Sequence, residues 1–171
     1  MKANFFKNRL LIENCAGEIT PLPGGCYIQK LTDICGQARR QVDVIQYQWN
    51  FYPFDKNNPL QKFNEGFLNH IRAGLRVRVL LNIEGVEHRL TSINHSAERN
   101  LSDAGAQVKF GPQFPITHAK IFIIDDDYIV LGSHNLSKRS VTANDETSVL
   151  IKSREATQEF KRYFQALWDR S

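Results

Sequence analysis

Two runs late in the chain, residues 117–124 and 128–131, are separated by only three residues, Asp125-Asp126-Asp127. The first run is mostly β-branched and apolar, and the second is apolar throughout. Such residues fit a pleated, half-buried surface, and aspartates favour tight turns. The spacing therefore predicts a β-hairpin, and the rest of the chain has to supply a sheet for it.

The preceding sequence alternates between helical and extended patterns. Residues 19–23 are predicted to enter the sheet before a break at Pro21, Pro23, Gly24 and Gly25. Ile28, Leu31, Ile34, Cys35 and Ala38 make a helical stripe over 27–40, weakened slightly by Gly36. Residues 42–49 read as a buried strand. Asn58-Pro59 starts a helix whose stripe is Leu60, Phe63, Phe67 and Ile71, with Gly74 as its stop. Residues 75–82 form a strand, Ile93, Ala97 and Leu101 a helix ending near Gly105, and 106–110 a short strand. After the hairpin come a strand over 146–152 and a helix capped by Ser153, burying Phe160, Phe164, Leu167 and Trp168. Leu10, Leu11 and Ile12 suit either an edge strand or a short helix.

This order predicts one α/β domain over 1–171, a mixed, mostly parallel sheet with an antiparallel portion near the hairpin and helices on both faces. A chain of 171 residues buries enough surface to need no covalent staples. Cys15, Cys26 and Cys35 lack metal-ligand spacing and read as reduced. No signal peptide or membrane-length run is visible, so the expectation is a cytoplasmic protein or a soluble fragment of a longer one. The net charge of +4 favours polyanionic partners mildly.

The hairpin also carries polar residues in a fixed pattern: His118, Lys120, Asp125, Gly132, Ser133 and Asn135, with Glu146 further on. Side chains alternate along a strand, so His118 and Lys120 are expected on one face, where an imidazole beside a cation suits a phosphate. Gly132 allows a sharp turn that brings Ser133 and Asn135 back to the same place. The pattern His-x-Lys-x4-Asp-x6-Gly-Ser-x-Asn resembles the HKD signature of the phospholipase D superfamily. Six fixed matches arise by chance in far fewer than about one in a thousand chains. The specific resemblance covers 118–146 and extends weakly over 19–152.

The resemblance implies an α-β-α sandwich and a metal-independent phosphodiesterase with no cofactor. His118 would be the nucleophile, forming a phosphohistidine. Glu146 would hold its other ring nitrogen, Lys120 and Asn135 would clamp phosphoryl oxygens, and Ser133 would orient groups around the histidine. Asp125 would be structural or electrostatic. Asp126 and Asp127 are turn residues.

Most relatives of this type carry two such motifs. This chain has one, and no other histidine is followed two residues later by lysine. The resemblance therefore implies a homodimer with a shared active site, its second His118 serving as acid and then base. The leading substrate is a DNA or RNA backbone, with Lys138 and Arg139 as candidate phosphate contacts. The alternatives are a phospholipase or phosphatidyl transferase, a non-catalytic nucleic-acid-binding subunit, and a cleavage domain within a larger defence or restriction machine. A lipid enzyme would need an apolar surface, for which the aromatic stretch 47–54 is the candidate. Those rings otherwise line a cleft, stack on bases or close a core margin. Arg76 and Arg78 read as a solvated or rim-facing pair, with a phosphate contact as the other option. His88 and His95 form at most a weak metal site beside the simpler reading of surface histidines.

Overall fold

The computed structural model describes residues 14–85, 88–113 and 115–171. The expected element at 10–12 lies outside these residues. The strands are β1 (Glu18–Pro23), β2 (Gln41–Gln46), β3 (Arg76–Leu81), β4 (Gln107–Phe110), β5 (Ile121–Ile124), β6 (Tyr128–Gly132) and β7 (Thr147–Lys152). The helices are α1 (Cys26–Gly36), α2 (Pro59–Arg72), α3 (Arg89–Ala104), α4 (Lys138–Thr142) and α5 (Arg154–Trp168).

One seven-stranded sheet has the order β1-β7-β6-β5-β2-β3-β4. The expectation of a mostly parallel sheet holds for strand direction: β1, β2, β3, β4 and β6 run one way, β5 and β7 the other. It does not hold for neighbours. Only the β2–β3 and β3–β4 ladders are parallel, because the hairpin and β7 insert strands of opposite sense between those that agree.

Helices cover both faces. Val42 and Val44 of β2, Val77 and Val79 of β3, and Phe122 and Ile124 of β5 face a core shared with α1, α2 and α3. The alternate residues, Ile45, Leu80, Ile121 and Ile123, face Phe164 and Leu167 of α5. The hairpin is central in the sheet and buried on both faces, which explains why all four residues of β5 are apolar.

Helix ends follow their chemistry. Asn58 accepts from Leu60 N at 3.0 Å, with Pro59 in the first turn, and Ser153 accepts from Ala156 N at 3.3 Å. Gly74 and Gly105 adopt positive φ just after α2 and α3. Helix α1 ends at Gly36, short of the expected Arg40, because the chain there turns to enter β2.

Arg78 corrects one expectation. It is neither solvated nor on a rim: its guanidinium makes two hydrogen bonds to buried Asp43, at 2.8 and 2.9 Å. It also lies 4.8 Å from the centre of the Phe164 ring and 5.5 Å from that of Trp168. Helix α5 closes over this ion pair. Arg76, two residues earlier at the strand's start, is exposed.

Candidate active site

The strand ends decide which polar residues can meet. The C-terminal ends of β2, β3 and β6 and the N-terminal ends of β5 and β7 all open at one edge of the sheet. Tyr47, Asn82, Lys120, Ser133 and Glu146 each lie next to one of these ends, so the topology brings them together.

His118 and Lys120 precede β5, whose pairing with β6 continues to Lys120, its carbonyl accepting from Gly132 N at 3.3 Å. Lys120 Nζ donates to the His118 carbonyl at 2.6 Å and lies 3.2 Å from each ring nitrogen. The segment is held from below: Thr117 N donates to Asn82 Oδ1 at 3.1 Å, and Asn94 Nδ2 donates to the Asn82 carbonyl at 2.9 Å. His118 is exposed, whereas Lys120 is buried.

The two groups titrate in a consistent sense. Partial desolvation of the ring, and then the neighbouring Lys120 charge, pull His118 below its ordinary value, while Glu84 opposes them. The imidazole is thus favoured as the neutral form that attack on phosphorus needs. Burial also lowers Lys120, and the Glu146 carboxylate opposes that, helping to keep the ammonium charged.

Within one chain Glu146 is engaged by neighbours other than His118. Its oxygens accept from Ser133 Oγ, from Ser140 Oγ at 2.9 Å and from Asn144 Nδ2 at 3.4 Å, not from its own His118. Burial pushes this carboxyl up, but those hydrogen bonds outweigh it and hold it below the usual range. Its influence reaches the centre through Lys120. Ser133 likewise orients the carboxylate, not the imidazole.

Gly132 is required for a reason other than a sharp turn. A Cβ there would overlap Ser148 Cα and the Thr147 carbonyl, so β7 could not approach. That approach also lets Ser133 N donate to the Thr147 carbonyl at 2.9 Å.

Asn135 N donates to Ser140 Oγ at 3.0 Å. Its side-chain Oδ1 is buried without a hydrogen-bond partner among the described residues, which leaves that end of the amide uncommitted to protein. Asn135 lines an open cleft of about 540 Å³ together with Tyr47, Tyr52, Arg89, Lys138 and Arg139. Lys138 is not a free cation there: its ammonium pairs with Asp55 at 2.6 Å. Arg139 has no ion-pair partner among the described residues.

Asp125 lies apart from these groups. It follows β5 at the opposite edge of the sheet, roughly 16 Å along an extended chain from Lys120. Its carboxylate accepts from the backbone N–H groups of Arg39, Arg40 and Gln41, at 2.9, 2.9 and 3.0 Å, and so fixes the entry to β2. Of the structural and electrostatic options, these contacts support the structural one.

The aromatic stretch divides. Trp49 is fully buried in the core, Phe51 packs against that core, Tyr47 and Tyr52 line the cleft, and Phe54 is 99% exposed. Among the described residues no cluster of three or more His, Cys, Asp or Glu is arranged for a metal. His88 caps α3, accepting from Leu90 N at 3.3 Å, and His95 packs against Phe110.

Sequence reasoning passed over Glu84, Ser140 and His134. The buried His134 stacks on Tyr27 at 4.1 Å and contacts Ser148 Oγ at 2.8 Å. It occupies the variable position of the Gly-Ser-x-Asn run, where no pattern draws attention to it.

Comparisons with known proteins agree with this architecture. The family described as "Cardiolipin synthase, PLD-like domain" matches residues 31–168. The 5'-3' exonuclease PLD3 of Xenopus laevis is 24% identical over 151 residues, covering 82% of this chain and 30% of that protein. The mitochondrial cardiolipin hydrolase of Chlamydomonas reinhardtii is 32% identical over 95 residues, covering 52% of this chain and 43% of that protein. The chain thus spans less than half the length of these curated relatives. The crystal structure of Nuc, a phospholipase D family member from Salmonella typhimurium, superposes with a TM-score of 0.73 at 19% identity, covering 92% of this chain and 96% of that one. With the family match spanning most of its length, the chain belongs to the phospholipase D-like domain family.

Proposed function

We propose that the chain is a metal-independent phosphodiesterase, and that its substrate is a DNA or RNA backbone. The observation that carries this reading is the contact of Lys120 Nζ with the His118 ring, 3.2 Å from each nitrogen, beside an open cleft. Tyr47, Tyr52, Arg89 and Arg139 give that cleft aromatic faces and positive charge, which suit bases and phosphates.

In this reading a ring nitrogen of His118 attacks phosphorus, a P–N bond forms and the P–O bond to the leaving group breaks. Lys120 and Asn135 bind the phosphoryl oxygens as charge moves onto them. A second histidine protonates the leaving alkoxide, then takes a proton from the water that attacks the intermediate, and the P–N bond breaks. That second histidine is His118 of another copy, so the active form is a two-fold dimer with both rings at its axis. The two imidazoles would titrate as a coupled pair. Analytical ultracentrifugation checks this: the expected mass is twice that of the 19.7 kDa chain, and a monomer that remains fully active would contradict it.

A lipid phosphodiester is the second reading. Phe54 is 99% exposed beside the cleft residue Tyr52, and Ile116, two residues before His118, is 47% exposed. Among the described residues no helix is long and apolar enough to cross a membrane, so such a surface would engage lipid from one side.

One assay decides between them. Single-stranded DNA, RNA and phosphatidylcholine are offered in EDTA to the wild type and to His118→Ala. The expected result is nucleic-acid cleavage that survives the chelator and falls at least about a thousandfold in the variant. Hydrolysis of the lipid alone would support the second reading. Cleavage unchanged in His118→Ala would overturn both.

A further inference from the structure

The contacts around His118 include a group from outside the motif. Tyr47 follows β2, and its ring meets the imidazole at 4.5 Å between centres with an interplanar angle of 60°. The same ring lies 4.9 Å from the Lys120 ammonium. One aromatic face therefore touches both residues on which the proposed chemistry depends.

Tyr47 is itself fixed at both ends. Its carbonyl accepts from Asn94 Nδ2 at 2.8 Å, and its hydroxyl donates to Glu84 Oε1 at 2.5 Å. That hydrogen bond, then burial and the Glu84 charge, push the phenol up to about 12, so it stays a donor at neutral pH. Glu84 is held in turn. Its backbone N donates to Thr91 Oγ1 at 3.1 Å, and its Oε2 lies 3.1 Å from His88 Nε2. Because His88 Nδ1 accepts from Leu90 N at the start of α3, its Nε2 carries the proton and points at Glu84. A line of contacts thus runs from the first turn of α3 through Glu84 and Tyr47 to His118.

We propose that Tyr47 and Glu84 form a positioning pair: Tyr47 fixes the His118 ring and the Lys120 ammonium, and Glu84 locks Tyr47 while placing a negative charge behind the imidazole. Within one chain this is the carboxylate that serves His118, since Glu146 is committed to Ser133, Ser140 and Asn144. The charged groups that bear on His118 are Lys120 on its own segment and Glu84 beyond β3, with Glu146 acting on Lys120 and His88 on Glu84. Lys120 disfavours the imidazolium and Glu84 favours it. The pair therefore sets a balance: the imidazole is neutral enough to attack, and the imidazolium is not prohibitively costly when the second copy's ring must serve as acid. This inference rests on the reading of His118 as the nucleophile.

The test uses Glu84→Gln and Tyr47→Phe in the full chain, with His118 titrated by NMR and assigned through the signal lost in His118→Gln. Removing the Glu84 charge is expected to lower the midpoint of His118 by about 0.3–1 pH unit and to move the acid limb of kcat the same way. Tyr47→Phe keeps the ring but loses the Glu84 bond, and is expected to cut kcat roughly tenfold with KM changed less than about twofold. Titration and pH profile identical to wild type in Glu84→Gln, or unaltered kcat in Tyr47→Phe, would overturn the pair. If the wild type cleaves no phosphodiester, the catalytic reading fails on its own, while the NMR titration still tests whether Glu84 is coupled to His118.

Discussion

Within a stretch of eight residues, Asp125 and Gly132 show how one sequence pattern holds positions of different kinds. Asp125 ties the turn after β5 to the backbone of residues 39–41, with φ of 51°, a conformation aspartate tolerates better than most side chains. Burial pushes its carboxyl up, but the Gln41, Arg39 and Arg40 N–H groups hold it below the usual range. Asp125→Asn is expected to lower stability by about 1–3 kcal/mol in urea unfolding. The pH profile of the folded enzyme should not move, and a changed profile would return Asp125 to the chemistry. Gly132 fails differently. In Gly132→Ala the new methyl meets β7 backbone, at Ser148 Cα and the Thr147 carbonyl, as well as the Ser148 hydroxyl. The expected cost is about 3 kcal/mol or more in the same measurement, with Ser133 drawn away from Glu146.

Most elements were legible because each announces itself locally. The Asn58-Pro59 start of α2, Ser153 before α5 and the apolar stripes depend on neighbours within a few residues. The failures were non-local. Arg78 read as solvated because the partners that bury it, Asp43, Phe164 and Trp168, come from another strand and the last helix. The site divides in the same way. His118, Lys120, Ser133 and Asn135 were visible as a pattern, whereas Tyr47, Glu84 and Asn82 join them only because β2 and β3 end at the same edge. His134 gives this scale its own prediction. Its Nε2 faces the Gly24 carbonyl at 3.2 Å, linking the motif to the turn between β1 and α1. Burial lowers its affinity for a proton, with Glu146 and the Gly24 carbonyl opposing. The folded state thus binds this proton less readily than the unfolded chain, whose histidine titrates near 6.5. The stability from neutral His134 is intact above that pH and is lost as pH falls through the lower folded value. Denaturant unfolding from pH 8 to pH 5 should show a steeper acid decline for wild type than for His134→Gln, and parallel curves would contradict this.

At the scale of the whole molecule, the sheet gathers strand ends carrying the proposed nucleophile, cations and a cleft at one edge, and uses the opposite edge for structural ties such as Asp125. Helix α5 covers one face and α1, α2 and α3 the other, so in the proposed dimer the substrate and the second copy would reach His118 at that edge. The proposed chemistry requires a covalent bond between phosphorus and one particular imidazole. Rapid quenching into alkali, which preserves phosphohistidine, followed by mass spectrometry of the peptide containing His118, tests this directly. The expected result is a substrate-derived phosphoryl adduct on His118 that forms during turnover, decays as product accumulates and is absent in His118→Ala. Turnover with no adduct at His118, or with the adduct on another residue, would contradict it.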